Sequence, residues 1–180
     1  MAPSLRSIRG AESVELAYGS LLERGALMVV QAGSATSRSI KEKEEHMFSE
    51  RERAFLDSQT LARFATVAVN GQPDVDAVGF GFDGERFYIS GYALERTRKY
   101  KNIAAGQKQI SLIIDDLVSL EPLMPRAIKL HGKAEIVTLE QGYRGPGTYI
   151  VITPEVSWSW GVDAPAFQDG QFVTRKIIWQ

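Results

Sequence analysis

The chain of 180 residues carries a formal net charge of −1, no cysteine and two histidines, His46 and His131, far apart in the sequence. The length suits a domain with a real core, while the missing cysteines exclude disulfides, thiolate nucleophiles and thiolate-held metals. The balanced charge gives no basis for wholesale binding to nucleic acid or a membrane surface, and no run of about 18 apolar residues or signal-type opening occurs, so a soluble, cytoplasmic protein without those partners is expected.

Residues 1–46 differ in composition from the rest. Glu12–Val30 has a weak helical period interrupted by Gly19 and Gly25, and a small polar stretch and the charged run KEKEEH follow. This composition reads as an extension or tail, with the folded unit, residues 47–180, beginning near Met47. Directly after it, Ser49 followed three residues later by Glu52 is a capping-box start for a short helix.

From Leu61 the apolar period becomes two. Leu61–Val69 reads as a strand, Asn70-Gly71 as a hairpin turn, Pro73–Phe82 as a second strand containing Gly79 and Gly81, Asp83-Gly84 as another turn and Glu85–Gly91 as a third strand. Glycines inside a strand mark a bulge or a close approach by another group, and two successive hairpins imply a meander. A short helix ended by Gly106 follows, then a strand at Gln109–Asp115, a loop at Asp116–Arg126 with Pro122 and Pro125, and a strand at Ala127–Thr138 in which His131 is an ordinary member. A glycine-rich connection through Gly142, Gly145 and Gly147 leads to Thr148–Ile152, then Val156–Gly161, a loop containing Pro165 and a last strand at Gln171–Trp179. Strand after strand with one inserted helix argues for an antiparallel barrel rather than a doubly wound sheet. The late tryptophans, Trp158, Trp160 and Trp179, suit either a core or a face covered by a partner.

The stretch Ser90–Asn102 collects Arg96, Thr97, Arg98, Lys99 and Lys101 at the start of the inserted helix. Arg forks, a Lys point charge and a hydroxyl at a helix start form a cradle for a phosphate; the alternative is a solvated basic face. Phe80, Phe82, Tyr88 and the tryptophans suit a pocket for a flat hydrophobic molecule such as a quinone, a tetrapyrrole or an enone.

These segments together, SERERAFL, LARFATVAVNGQPDVDAVGFGFDGERFYI, ERTRKYKNI, LIIDDL and ITPEVSWSWG, resemble the FMN-binding split-barrel family that contains pyridoxamine 5′-phosphate oxidase, and most closely its branch using the deazaflavin F420. The resemblance implies a mainly β, Greek-key split barrel with a few short helices, assembled as a homodimer with cofactor sites at the subunit interface. It further implies that Asp76, Ala77, Val78 and Gly79 lie along the cofactor ring, that Thr97, Arg98 and Lys99 hold its phosphate with Asn102 as a further polar contact, and that Ser159, Trp160 and Gly161 approach the ring from the C-terminal segment, across the dimer. The activity implied is hydride transfer between F420 and a small organic substrate. No arginine stands between Pro73 and Asp83, where the FMN oxidases carry one, which favours F420 over FMN. An FMN- or haem-binding relative and a non-catalytic binding module are the alternatives.

Overall fold

The computed structural model describes residues 48–179, so the expectation for residues 1–46 lies outside the described residues. The architecture is mainly β and antiparallel, with two short α-helices among the described residues. The helix α1 spans Glu50–Ser58 and β1 and β2 span Ala62–Val67 and Pro73–Val78. The short strands β3 and β4, Gly81–Phe82 and Phe87–Ile89, precede a 3-10 turn at Leu94–Arg96 and the helix α2 at Arg98–Ala104. Three long strands follow, β5 at Gln109–Leu120, β6 at Leu123–Leu139 and β7 at Gly147–Trp160. The chain closes with β8 at Phe167–Gln168, β9 at Gln171–Phe172 and β10 at Arg175–Ile178.

Local chemistry explains the helix starts. Ser49 Oγ accepts from the Glu52 N–H and the Glu52 carboxylate accepts from the Ser49 N–H, the reciprocal bonds of a capping box. Thr97 Oγ1 likewise accepts from Tyr100 N–H at the start of α2.

The main sheet runs β2-β1-β5-β6-β7-β4-β3, with β10 added beside β7. β7 is long enough to pair with β4 through Ile150–Ile152 and with β10 through Val156–Ser159, while β6 covers its other edge. The two ends of the order, β2 and β3, are consecutive in the chain and joined only by Gly79 and Phe80. The sheet therefore curls until its ends meet, as a barrel with an unbonded seam. Inward residues alternate along the strands: Phe64, Leu112, Ile114, Ile128, Leu130, Ile150 and Ile152 are almost wholly buried. Each such side chain contributes about 1.5–3 kcal/mol relative to exposure. α2 packs against β1, β2 and β6, burying Ile103 and bonding Asn102 Nδ2 to Thr66 Oγ1 at 2.9 Å.

Three expectations are corrected. Pro73–Phe82 is two strands on opposite ends of the sheet, because the chain crosses the seam at Gly79–Phe80; the three-stranded meander is therefore absent. Asp116–Arg126 is no loop but the end of a long β5–β6 hairpin turning at Glu121-Pro122. The final strand is divided: Phe167–Phe172 forms a small ribbon and Arg175–Ile178 alone joins the main sheet.

Candidate functional site

The sequence-predicted residues separate into two groups. In the first, Lys99 Nζ bonds Asp76 Oδ2 at 2.9 Å, with the Lys99 side chain 12% and that of Asp76 41% exposed. This contact ties the basic turn to β2, and Arg98 beside it is exposed. Along β2, Asp76 and Val78 pair with inward-facing residues of β1, Phe64 and Ala62, whereas Ala77 pairs with the outward Arg63. A flat ring cannot lie against side chains on both faces. What β2 does offer is its backbone edge: β1 occupies one side and, among the described residues, no strand occupies the other. Such an edge presents N–H and C=O groups in register for a partner with the complementary pattern.

α2 has only seven residues, and Thr97 Oγ1 both caps Tyr100 N–H and donates to Leu94 O at 2.6 Å. The helix is too short for its dipole to form an anion site, so what the turn offers an anion is its cationic side chains. Asn102, expected as a cofactor contact, is 4% exposed and fixes α2 to β1 through Thr66.

Sequence reading missed Arg144. A Cβ built on Gly79 would lie 3.5 Å from its guanidinium, and one built on Gly81 would meet the Tyr143 ring at 2.7 Å. The close approach that the strand glycines announce is thus made by the chain's own glycine-rich β6–β7 connection. The cation missing from β2 itself arrives over Gly79 from that connection. The local signal was an arginine standing between Gly142 and Gly145, which carries no periodicity.

The second group lies elsewhere. Ser159 is 5% exposed and its hydroxyl donates to Glu52, whose side chain is wholly buried. Glu52 also accepts from Arg175 Nη1, which lies 3.7 Å from Asp163 as well. Gly161 has φ +69°, and a Cβ there would come within 2.1 Å of Pro125 O; its glycine is required by the β5–β6 hairpin behind it. Trp160 is half-buried, edge-on to Phe172 with ring centroids 5.7 Å apart. On β7 it is separated from β2 by β6, β5 and β1 in one direction round the sheet and by β4 and β3 across the seam in the other, and no hydrogen bond or ion pair among the described residues joins this group to the first.

The expected aromatic pocket is filled by itself. Phe82 packs on Phe87 with centroids 4.6 Å apart, Phe48 on Phe82 at 5.4 Å and Trp179 on Phe48 at 4.6 Å. Tyr88 donates its hydroxyl to Asp83. Burial would raise the Asp83 pKa, but the hydrogen bonds from Tyr88, Arg86 and Glu85 outweigh it and hold the carboxyl below its ordinary value; burial and that same bond push the Tyr88 hydroxyl up. An apolar cavity of about 500 Å³ opens instead between the β5–β6 hairpin and the C-terminal ribbon, lined by Val118, Leu123, Met124, Gly161 and Phe167 among others. Arg126 on its wall is held by both oxygens of Asp116. The arginine's hydrogen bonds keep the Asp116 carboxyl below the usual range, and Gln59 supports it from α1's end. The wall is therefore electrically neutral.

Among the described residues no group of three or more His, Cys, Asp or Glu side chains could hold a metal, and no helix is long and apolar enough to cross a membrane.

Comparisons with known proteins converge. The chain is 31% identical over 121 residues, 64% of its length and 84% of the relative's, to the 5a,11a-dehydrotetracycline/5a,11a-dehydrooxytetracycline reductase of Streptomyces rimosus. Two solved structures share the fold: the Group A Streptococcus protein HupZ, at 22% identity and a TM-score of 0.51 over 67% of this chain and 99% of that one, and a conserved hypothetical protein of Mycobacterium tuberculosis, at 22% and 0.50 over 63% and 84%. Residues 48–148 match the family described as pyridoxamine 5′-phosphate oxidase, from the α1 cap through the basic turn to the start of β7. The chain belongs to the pyridoxamine 5′-phosphate oxidase family, and its function is of the oxidoreductase type.

Proposed function

We propose that this protein is an F420-dependent oxidoreductase that transfers a hydride between the deazaflavin and a flat, hydrophobic organic substrate. The observation that carries the reading is the Lys99–Asp76 contact, which couples a cationic turn to a strand edge with no strand partner on its far side among the described residues. A phosphorylated cofactor with a pyrimidine-type ring needs both: cations for the phosphate, and a backbone edge to pair with the ring's alternating N–H and C=O groups. Arg98, Lys99 and Arg144 outnumber the two carboxylates of β2, Asp74 and Asp76, which fits an anionic cofactor.

When bound, the deazaflavin supplies the hydride-carrying carbon. The chain's own residues do the rest. Lys99 exchanges Asp76 for the phosphate, Arg98 adds a fork, and the Thr97 hydroxyl orders the turn. Asn102 holds α2 on β1 so that these cations stay in line with β2. The backbone of Asp76–Gly79 orients the ring. The apolar cavity beside Gly161, with its arginine neutralised by Asp116, suits an uncharged flat substrate. The tetracycline-type reductase among the relatives, whose substrate is a fused-ring compound by its name, supports that choice.

Trp160 stands on β7, at least two strands from β2 in either direction, so the reading has it approach the ring from a second copy of the chain, in a C2 homodimer of split Greek-key barrels in the cytoplasm. Val75, Val69 and Val67 on the β1–β2 hairpin and Ile178 on β10 are 66%, 71%, 40% and 68% exposed, the kind of outer apolar face a twofold interface covers. In that dimer Trp160 approaches the ring, with Ser159 and Gly161 fixing its strand. Residues 1–46 are read as an extension outside the cofactor site: a chain beginning at Met47 is expected to dimerise and bind as the full chain does, and insoluble or monomeric protein would refute this.

The decisive assay is titration of purified protein with F420, following quenching of deazaflavin fluorescence. Saturable binding is expected, and, in a second assay with reduced F420 as the donor, hydride transfer to a tetracycline-type enone with a proton taken from solvent. A yellow protein holding FMN, or a Soret band on adding haem, would instead support the flavin or haem reading; binding of none of the three would leave a cofactor-free module.

A further inference from the structure

Among the described residues lining the apolar cavity beside Gly161, Arg126 alone has a side-chain hydrogen-bond donor; the others are Val, Pro, Leu, Met, Gly, Ala and Phe. Arg126 is also held in place. Its Nε and Nη2 donate to the two oxygens of Asp116. Gln59 Nε2 donates to Asp116 Oδ2 at 3.0 Å and so ties the pair to the end of α1. The guanidinium carbon stands 5.1 Å from the ring centroid of Phe55, which is 3% exposed. A two-point fork seated on a buried ring fixes the plane of the guanidinium. The fork spends one edge of that plane. It leaves the N–H groups of Nη1, which donate to nothing among the described residues.

Asp116 thus cancels the charge of Arg126 without using up its donors. A neutral wall admits an uncharged ligand, and a polar atom that enters the cavity leaves its water behind and needs a partner. Arg126 is the lining side chain that can supply one to a carbonyl oxygen. A flat ketone is therefore oriented with its oxygen toward Arg126 and its hydrocarbon rings among Leu123, Met124 and Phe167. Gly161 follows Trp160, which the reading above brings to the cofactor ring, so in that reading the cavity opens beside the hydride-carrying carbon.

Resting on the oxidoreductase reading above, we propose that this cavity takes an α,β-unsaturated ketone with its carbonyl oxygen on Arg126 Nη1, and that Arg126 is a catalytic residue which holds the charge that oxygen gains as the conjugated double bond accepts hydride. The hydride leaves the reduced deazaflavin, which is oxidised, and forms a C–H bond at the β-carbon. The double-bond electrons move toward the carbonyl and give an enolate, whose oxygen carries the negative charge. The bond from Arg126 becomes charged at both ends and strengthens at that moment. The α-carbon then takes a proton from solvent.

The contact is tested without cofactor, on the full chain, by two flat probes that differ only in a carbonyl against a methylene, acenaphthenone and acenaphthene. Their dissociation constants are read from tryptophan fluorescence for wild type, Arg126→Lys and Arg126→Met, with thermal melts alongside. Arg126→Met is expected to lower the preference for the ketone over the hydrocarbon roughly tenfold, and Arg126→Lys to lower it less. Equal changes for both probes, or none, would make Arg126 a purely structural residue and overturn the proposal. The infrared carbonyl stretch of acenaphthenone bound to wild type should lie below its value in hexane; a stretch equal to that in hexane would overturn the proposal even if Arg126→Met failed to fold. With reduced F420 as donor and phenalenone, a flat tricyclic enone, as acceptor, Arg126→Met is expected to lose about a hundredfold in kcat, and KM should change less. An unchanged kcat would refute the catalytic role. Failure of wild type to bind F420 would remove the oxidoreductase reading and the hydride step with it, while the probe pair still decides the carbonyl contact, so the two failures are distinguishable.

Discussion

Two polar clusters contain residues that the sequence marks for the cofactor, and they behave oppositely. Around Glu52, the Ser49 N–H, the Ser159 hydroxyl and the Arg175 guanidinium converge on a carboxylate with no exposure. Around Asp76, Lys99 meets a carboxylate whose side chain is 41% exposed, beside a strand edge without a second partner among the described residues. The first cluster has its bonding capacity spent on joining α1, β7 and β10. The second is a pair open to water on its carboxylate side only, with Lys99 12% exposed, and so is more readily exchanged than the closed cluster. The difference teaches that a polar residue at a family-like spacing becomes binding machinery only where its partners can be exchanged. Ser159 is architecture by this criterion, and Lys99 is available.

The largest effect should come from breaking the closed cluster. Glu52→Ala strands the Ser49 N–H and the Ser159 hydroxyl and removes the partner of Arg175, so about 3 kcal/mol of stability is expected to go. Urea unfolding measures it; a loss under about 1 kcal/mol would mean the two clusters do not differ in kind. Gly161→Ala sharpens the same contrast at the end of β7. Its positive φ and the 2.1 Å approach of a new Cβ to Pro125 O predict a cost of about 2–3 kcal/mol. A melting temperature equal to wild type would show that β7 can adapt there.

A smaller effect belongs to Asp116, which is intermediate between the clusters. Its pair with Arg126 is bidentate, but the two side chains are 27% and 36% exposed. Asp116→Asn should cost about 1 kcal/mol at neutral pH. Because Arg126 holds the Asp116 carboxyl below its ordinary value of 3.8, the folded form is favoured wherever the carboxylate would be ionised. The contribution is complete above that pH and is lost as the pH falls below it. The stability gap between the two proteins should therefore be full at pH 7 and narrow progressively as the pH is lowered beneath 3.8. A gap that does not narrow at all with falling pH would assign the effect to packing.

Signals confined to a few neighbouring residues were legible in the sequence. The Ser49/Glu52 box, the Asn70-Gly71 turn and the basic start of α2 each depend on contacts within about four positions, and each is present in the fold. Features set by distant chain segments were not. Gly79 and Gly81 announced a close approach, but that the visitors are Arg144 and Tyr143 depends on a connection more than sixty positions later. The crossing at Gly79–Phe80 leaves no local mark either, since both halves of Pro73–Phe82 suit a strand. Leu117, Val118, Leu120, Leu123 and Met124, all about half exposed or more, interrupt the expected alternation and, with two prolines, made a hairpin arm look like a loop. The burial of Ser159 was not legible, because a hydroxyl between two tryptophans looks accessible until Glu52 is known to lie behind it.

The central claim is that the basic turn beside β2 is where an F420 phosphate is held. Titrating wild type, Arg98→Ala and Lys99→Ala with F420 tests it most directly. Each charge-assisted contact is worth roughly 1.5–3 kcal/mol, so each variant is expected to bind one to two decades more weakly, with a melting temperature close to wild type because the Lys99–Asp76 pair is partly open to water. Turnover at saturating cofactor should fall less than affinity, the anchor being remote from the reacting carbon. Dissociation constants unchanged in both variants would contradict the account.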